Sequence, residues 1–365
     1  MELRHGFTTG TCAAGAARAA ALGLRTGLIP DSVEVATPSG ITARLEIQEK
    51  TLKPGKFARC AVRKDAGDDP DVTNGCLIFA RVEECQEKGV TIEGGEGVGR
   101  VTKPGLRVPP GEAAINPVPR MMIIDAVTEF LGQELMGLKA TISVPRGREI
   151  AEETFNPRLG ILGGISIIGT SGIVRPMSVD ALKTSLVCAL DVARAMGHET
   201  IILVPGNLGE KAFLRRFEVP AEQVVQISNY LGFMLTEAGR KEFSRIILAG
   251  HPGKLAKFAR GDLDTHSSKS PPAMDIVIQI LEDRGLEGPI VEAVKDSSTV
   301  EGIIHQLTKR DKLFMMADVA NIIEHKARDL LGPGVGTGVV LFDMQMGVIG
   351  ISRGAADWQK GLRTT

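Results

Sequence analysis

Apolar and polar positions follow two different periods along this chain, and the change from one to the other divides it. Near the start, Thr8-Thr9-Gly10-Thr11-Cys12 runs into AAGAARAAALGL. Alanine is the strongest helix former and a hydroxyl residue before such a run suits an N-cap, so a helix is predicted over roughly 12–24. SVEVATPSGITARLEI then alternates apolar with polar residues on both sides of Pro38-Ser39-Gly40, the pattern of a hairpin. FARCAVRK and GCLIFARVEE predict two further strands, separated by the acidic stretch 65–75. The prolines of VTKPGLRVPPGEAAINPVPR exclude a regular helix until about Pro119. Residues 120–135 then read as helix and 139–144 as strand. Residues 1–155 are expected to form an α+β domain with much antiparallel sheet, carrying the TTGTC and DPDVTNG loops.

Beyond Thr154-Phe155-Asn156-Pro157 the period changes. ILGGISIIG, ETIILVPG, EQVVQIS and FSRIILAG read as short buried strands. Amphipathic helices are predicted in SVDALKTSLVCALDVARAMG, LGEKAFLRRF, NYLGFMLTEAGR and HPGKLAKFARG. Such alternation indicates βαβ units, so residues 156–365 are expected to form a Rossmann-like, doubly wound parallel α/β domain. More helices are predicted at 273–283, 298–308 and 312–330. The tail GVVLFDMQMGVIGIS is a strand pair able to rejoin either domain.

Composition narrows the class. Of 365 residues, 43% are hydrophobic and 24% charged, ordinary for a globular protein with a normal core. Lys and Arg number 43 against 44 Asp and Glu, which argues against nucleic-acid binding through a globally basic surface. Neither a signal peptide nor an apolar run of membrane-spanning length is visible, so a cytoplasmic protein without membrane attachment is expected. Cys12, Cys60, Cys76, Cys85 and Cys188 are spread out with no CxxC. They read as reduced thiols, and no protein-bound metal is expected.

In open α/β sheets, ligands bind outside the C-terminal ends of the strands. Three predicted strands end in glycine turns that open helices: Gly169-Thr170-Ser171-Gly172, Gly206-Asn207-Leu208-Gly209, and His251-Pro252-Gly253-Lys254. Helix starts there would turn free N–H groups and a positive dipole end toward one sheet edge. A single turn of this kind is equally the joint any α/β fold needs. Three together predict a small-molecule cleft without naming its ligand. The spaced glycines at 95–99 and 334–338 lack the strand-then-helix context of a phosphate loop and read as turns.

Several blocks together carry a family resemblance. LRHGFTTGTCAAGAARAA, DAGDDPDVTNG, VTKPGL with PPGEAAINPVPR, GTSGIVRPMS, VPGNLGE, SNYLGFML and GHPGKLAKFARGDLDTHSSKS resemble, in order, the cobalt-precorrin C1-methyltransferases of anaerobic cobalamin biosynthesis. The stretch after SSKSPPAMD departs from that family's pattern. The resemblance implies methyl transfer from S-adenosylmethionine to C1 of cobalt-precorrin-5B, giving cobalt-precorrin-6A, with cobalt arriving only as part of the tetrapyrrole. It leaves room for a homo-oligomer or transient contact with other enzymes of the pathway.

Methyl transfer to carbon needs near-attack geometry and exclusion of water rather than a dedicated nucleophile. The turns supply the candidate donor site: Gly169, Thr170, Ser171, Gly172, Gly206 and Asn207. Arg175, Lys254 and Lys257 are candidates for the substrate's carboxylates, or else solvated surface charges. Thr8, Thr9 and Thr11 are candidates to face an anionic group, since helix capping explains one of them and not three. The loop carrying Asp65, Asp68, Asp69 and Asp71 is either an ordinary Asp/Asn turn or a place for a divalent ion or ribose hydroxyls. The resemblance favours a site role for Asp69, Asp71, Thr73 and Asn74. Asp71, His251 and His266 are the catalytic candidates, the histidines as axial cobalt ligands or proton shuttles, with a structural hydrogen bond as the alternative for each. Cys12 at a helix start has either a lowered pKa or an inert packing role. A non-catalytic tetrapyrrole carrier or scaffold, and a nucleotide- or phosphosugar-binding enzyme, are the competing functions.

Overall fold

The computed structural model describes residues 3–130 and 137–362, without the side chains of 361 and 362. The protein has a mixed α/β fold in two compact units, Met1–Ala181 and Leu182–Thr365. Among the described residues no helix is long and apolar enough to cross a membrane.

The first unit is built on six strands in the order Ser32–Ala36, Thr42–Lys53, Phe57–Arg63, Leu77–Cys85, Gly137–Ser143, Val90–Gly94. Every neighbouring pair is antiparallel except the last, which is parallel. The helix Thr9–Thr26 lies in the core beside this sheet, its alanines from Ala13 to Ala21 at most 1% exposed. Alanine and glycine let the helix come close: a Cβ on Gly15 would stand 2.4 Å from Leu45 Cδ1. The second helix, Pro117–Thr128, starts two residues earlier than the prolines suggested, because proline fits the first turn, where its missing N–H has no partner to lose. Residues 131–135 of the predicted helix lie outside the described residues.

The second unit holds five strands in the order Val224–Gln226, Thr200–Val204, Arg245–Gly250, Gly336–Phe342, Val348–Ile351. The first four run parallel and the last antiparallel. Both faces are buried, which explains the near-continuous apolar strands. Ile201 and Leu203 pack into one core with Leu190, Leu235 and Ile323, while Ile202 and Val204 pack into another with Phe213, Phe342 and Trp358. The chain leaves Thr200–Val204 toward one side of the sheet and Arg245–Gly250 toward the other, so these adjacent strands flank a topological switch point.

The structure corrects several expectations. The units divide at 181/182 rather than 155/156, and ILGGISIIG is no strand of the parallel sheet. Ile161–Leu162 pairs with Arg100–Val101, Ile173–Val174 pairs with Gly6–Phe7, and Ile165 and Ile167 bridge to Val98 and Ile115. A short apolar run between glycines has no period of its own, and here the first unit's core takes it up. The turn at 169–172 therefore does not share a sheet edge with Gly206 and His251. The tail strands belong to the second unit's sheet, and Gly336 and Gly338 are strand residues rather than turns. A Cβ on Gly338 would meet Ala355 N at 2.7 Å, so the C-terminal helix Arg353–Leu362 explains the glycine.

Phe213 is fully buried and stacks on Trp358, the single tryptophan, with centroids 5.9 Å apart. Phe213→Ala should cost about 3–5 kcal/mol. Urea denaturation followed by Trp358 fluorescence measures it, and a loss below about 1 kcal/mol would show that this cluster does not hold the sheet.

Candidate functional site

Three sequence blocks of the first unit meet where its first helix begins. Thr8 caps that helix, its Oγ1 accepting from Thr11 N at 3.3 Å. Thr11 Oγ1 donates to Gly172 O at 2.7 Å, and Thr9 Oγ1 accepts from Ile168 N at 2.8 Å. All three hydroxyls are engaged by the protein itself, which accounts for the two threonines that capping leaves over. The facing turn is filled rather than open. At Gly169 (φ 134°) a Cβ would stand 2.2 Å from Thr8 Oγ1, and at Gly172 (φ 78°) 2.7 Å from Thr37 Cβ. Ser171 Oγ donates to Ile173 O at 3.0 Å, and Thr170 is exposed. Arg175 is exposed and has no ion-pair partner among the described residues.

The acidic loop is organised by a residue that sequence reasoning missed. Lys64 is 2% exposed, and its Nζ donates to Asp71 Oδ2 at 2.6 Å. The other carboxylate oxygen of Asp71 accepts from Thr73 N at 2.8 Å and Thr73 Oγ1 at 2.7 Å. Burial alone would push the Asp71 carboxyl up; the Lys64 ammonium and the Thr73 bonds outweigh it and hold the group below its ordinary value. Asn74 Oδ1 accepts from Ala66 N at 2.9 Å, and Asp69 Oδ1 from Met177 N at 2.8 Å. Arg4 pairs with Asp65 at 2.5 Å and donates its backbone N–H to Asp68 at 2.7 Å. Lys64 did leave a signal: Ala58, Cys60 and Val62 face the core, and one more step of two reaches Lys64. Cys12 is inert, burial pushing its thiol up to about 12, so the lowered value expected of a helix start is not found.

The second unit brings different residues together at the C-terminal ends of its parallel strands. Gly206 begins the helix Asn207–Arg216 without a side-chain cap, and an added Cβ there would meet nothing within 4 Å. Asn207 Oδ1 accepts from Gln226 Nε2 at 2.6 Å. Across the switch point, His251 caps the helix Pro252–Ala259: its Nδ1 accepts from Gly253 N at 3.0 Å and its Nε2 meets Glu301 at 2.9 Å. Both ring nitrogens are thus occupied. Lys254 Nζ donates to Asn229 Oδ1 at 3.1 Å and reaches Pro205 O at 3.4 Å. Desolvation of that ammonium, and then the charge of Lys257, pull its pKa below the ordinary lysine value.

Lys257 is no surface charge. It is 7% exposed, and its Nζ donates to Thr265 O and Ser270 O, each at 3.1 Å, bracing the following loop from inside. His266 is exposed on that loop, its Nδ1 2.7 Å from Ser268 Oγ. In the first unit, an open cleft of about 780 Å³ that the sequence did not announce is lined by Pro38, Val118, Met121 and Met122 with Glu34 and Asp125. Its carboxylates suit a cation better than a polyanion.

These features define a two-unit α/β protein with polar side chains gathered at the C-terminal ends of the second unit's parallel strands. Comparison with known proteins narrows the class. Residues 1–176 match the model of the CbiD family and residues 264–353 that of the CbiD C-terminal domain. The chain is 42% identical to the cobalt-precorrin-5B C(1)-methyltransferase of Thermoanaerobacter sp. (strain X514), over 98% of this chain and 97% of that protein. It is 40% identical to the protein of the same name from Photorhabdus laumondii, over 99% of this chain and 96% of the relative. The crystal structure of the cobalamin biosynthesis protein from Archaeoglobus fulgidus is 30% identical, covering 78% of this chain and 85% of its own, with a TM-score of 0.38. The chain belongs to the CbiD family.

Replacing Asp71 strands the buried Lys64 ammonium, so Asp71→Asn should destabilise by about 3 kcal/mol. The pH dependence has a defined sign. The folded carboxyl titrates below its unfolded value of about 3.9, so the pair's contribution is present above that pH and lost as pH falls through the folded pKa. Urea denaturation at neutral and acid pH should show the gap between wild type and Asp71→Asn closing on acidification. A gap that stays constant would rule out the ion pair as its source.

Proposed function

We propose that this chain is a cytoplasmic, S-adenosylmethionine-dependent methyltransferase that methylates C1 of cobalt-precorrin-5B to give cobalt-precorrin-6A in anaerobic cobalamin biosynthesis. The observation that carries this reading is the near-complete alignment, at 42% and 40% identity, with proteins named for that methylation. Cobalt enters as part of the substrate.

The residues present suit the donor at one of the two turns considered. The helix Asn207–Arg216 starts at a residue without a side chain, and the open space at Gly206 admits close approach of the donor's carboxylate to the positive end of the helix. Gly169 and Gly172 are instead filled by Thr8 and Thr37, so the donor reading is kept for Gly206 and Asn207 and withdrawn from 169–172. On this reading the donor sits at the switch point of a Rossmann-like sheet. When bound, S-adenosylmethionine supplies an electrophilic methyl group on a sulfonium.

The protein's own part is to bind, orient and exclude water. Lys254, beside Gly206 through Pro205 O, takes a substrate carboxylate. His251 serves as a positioning residue rather than a cobalt ligand, since Gly253 N and Glu301 occupy its ring nitrogens. Asp71 with Thr73, and Asp69 with Asn74, act by shaping the loop that holds Met177.

Incubation of the purified protein with S-adenosylmethionine and cobalt-precorrin-5B should yield a product heavier by one methyl group at C1; absence of that product overturns the reading. Gly206→Ala should fold normally, its φ of 169° being accessible to any residue, yet bind S-adenosylhomocysteine about tenfold more weakly by calorimetry. Unchanged affinity would move the donor elsewhere.

A further inference from the structure

One group of cations in the second unit is not explained by the donor site. The strand Val224–Gln226 ends in a loop where Ser228 is held at φ 52°, a conformation costly for a residue with a Cβ. Two lysines from separate helices converge on the next two residues. Lys254 Nζ donates to Asn229 Oδ1 at 3.1 Å. Lys183, on the helix Val179–Ala195, sets its Nζ 5.3 Å from the ring centroid of Tyr230 and 4.8 Å from that of Phe233. Neither ammonium has a carboxylate partner among the described residues.

The loop they grip is fixed from within. Thr265 N donates to Asn229 O at 2.8 Å, and the buried Lys257 bonds Thr265 O at 3.1 Å. Lys269 adds a third positive charge close enough to act on Tyr230, although Asp264 already pairs with it at 2.7 Å. An ammonium resting on aromatic faces is positioned while its N–H groups remain able to donate. Each charge is left for an anion to neutralise.

We propose that Lys183 and Lys254, set on either residue of the Asn229-Tyr230 pair, form a platform that recognises a polycarboxylated macrocycle through two of its side-chain carboxylates. The platform rests on the reading of the substrate as a tetrapyrrole, and it names the part of the protein that selects for its acidic side chains. A ligand with a single carboxylate would satisfy one ammonium and leave the other unpaired. Point charges on flexible stems suit carboxylates whose positions vary around a ring better than a fixed bidentate fork would.

Uroporphyrin, with eight carboxylates, and coproporphyrin, with four, are the probes. Each is titrated into the full-length protein and followed by porphyrin fluorescence. Lys183→Met and Lys254→Met, which keep the apolar stems, should each weaken uroporphyrin binding about fivefold, and together more than about tenfold. Coproporphyrin should bind more weakly and lose less. Lys183→Arg, which keeps the charge, should retain more affinity than Lys183→Met but less than wild type, and Lys88→Met in the first unit should leave it unchanged. Thermal melting of each variant guards against unfolding as the cause. Equal affinity of wild type and the double variant, or no uroporphyrin binding by wild type, overturns the platform. The two readings fail separately: a charge-dependent porphyrin site without methyl transfer would sink the reaction and keep the platform.

Discussion

A single buried ammonium sets the terms for much of the first unit. Lys64 directly follows the interior strand Phe57–Arg63 and continues the inward row of Ala58, Cys60 and Val62, where a charge requires an anion close by. Asp71 is that anion, so the loop returning from Lys64 must fold back over seven residues to present it. Thr73 and Asn74 then close the loop on itself, and Asp69 and Asp65 extend its hold to Met177 and Arg4. An acidic stretch that looks like a ligand site in one dimension is, in three, largely a response to one lysine.

The second unit follows from a different constraint. A parallel sheet covered on both faces leaves its strand ends as the place where polar groups can gather, and the chain turns to opposite faces after Thr200–Val204 and Arg245–Gly250. Glycines in the two units do opposite work. Gly206 stands in open space at a helix start, whereas Gly169 and Gly172 are spaces already taken by threonines. The same letter in a motif thus marks open space in one case and a protein's own packing in the other.

Much of the architecture was legible in the sequence because period and burial agree. The alternation in SVEVATPSGITARLEI became antiparallel pairs, and the apolar runs IILVP and RIILAG became parallel strands. ISIIG failed because a four- or five-residue apolar run carries no register, and only tertiary contacts decide which core receives it. The site was less legible. For His251 the sequence admits a structural hydrogen bond as one of two readings, but nothing local names Glu301 as its partner. Lys257 reads as a carboxylate ligand or a surface charge, since nothing local reveals the carbonyls of Thr265 and Ser270. Lys183 and Tyr230 went unremarked because a cation and a ring from separate helices meet only after folding.

The helix Thr9–Thr26 has a consequence for how this unit can change over evolutionary time. Its interior face is made of the smallest side chains, and Gly15 stands against Leu45 with no room for a single added carbon. Such a contact acts as a spacer: an added carbon at Gly15 has to push the tip of the Leu45 side chain aside. Growth there is easiest when Leu45 shrinks with it, so paired changes are favoured over single ones. Sequence drift along this segment is therefore expected to run along its solvent edge, at positions such as Arg25 and Thr26, and to leave the alanine stripe untouched.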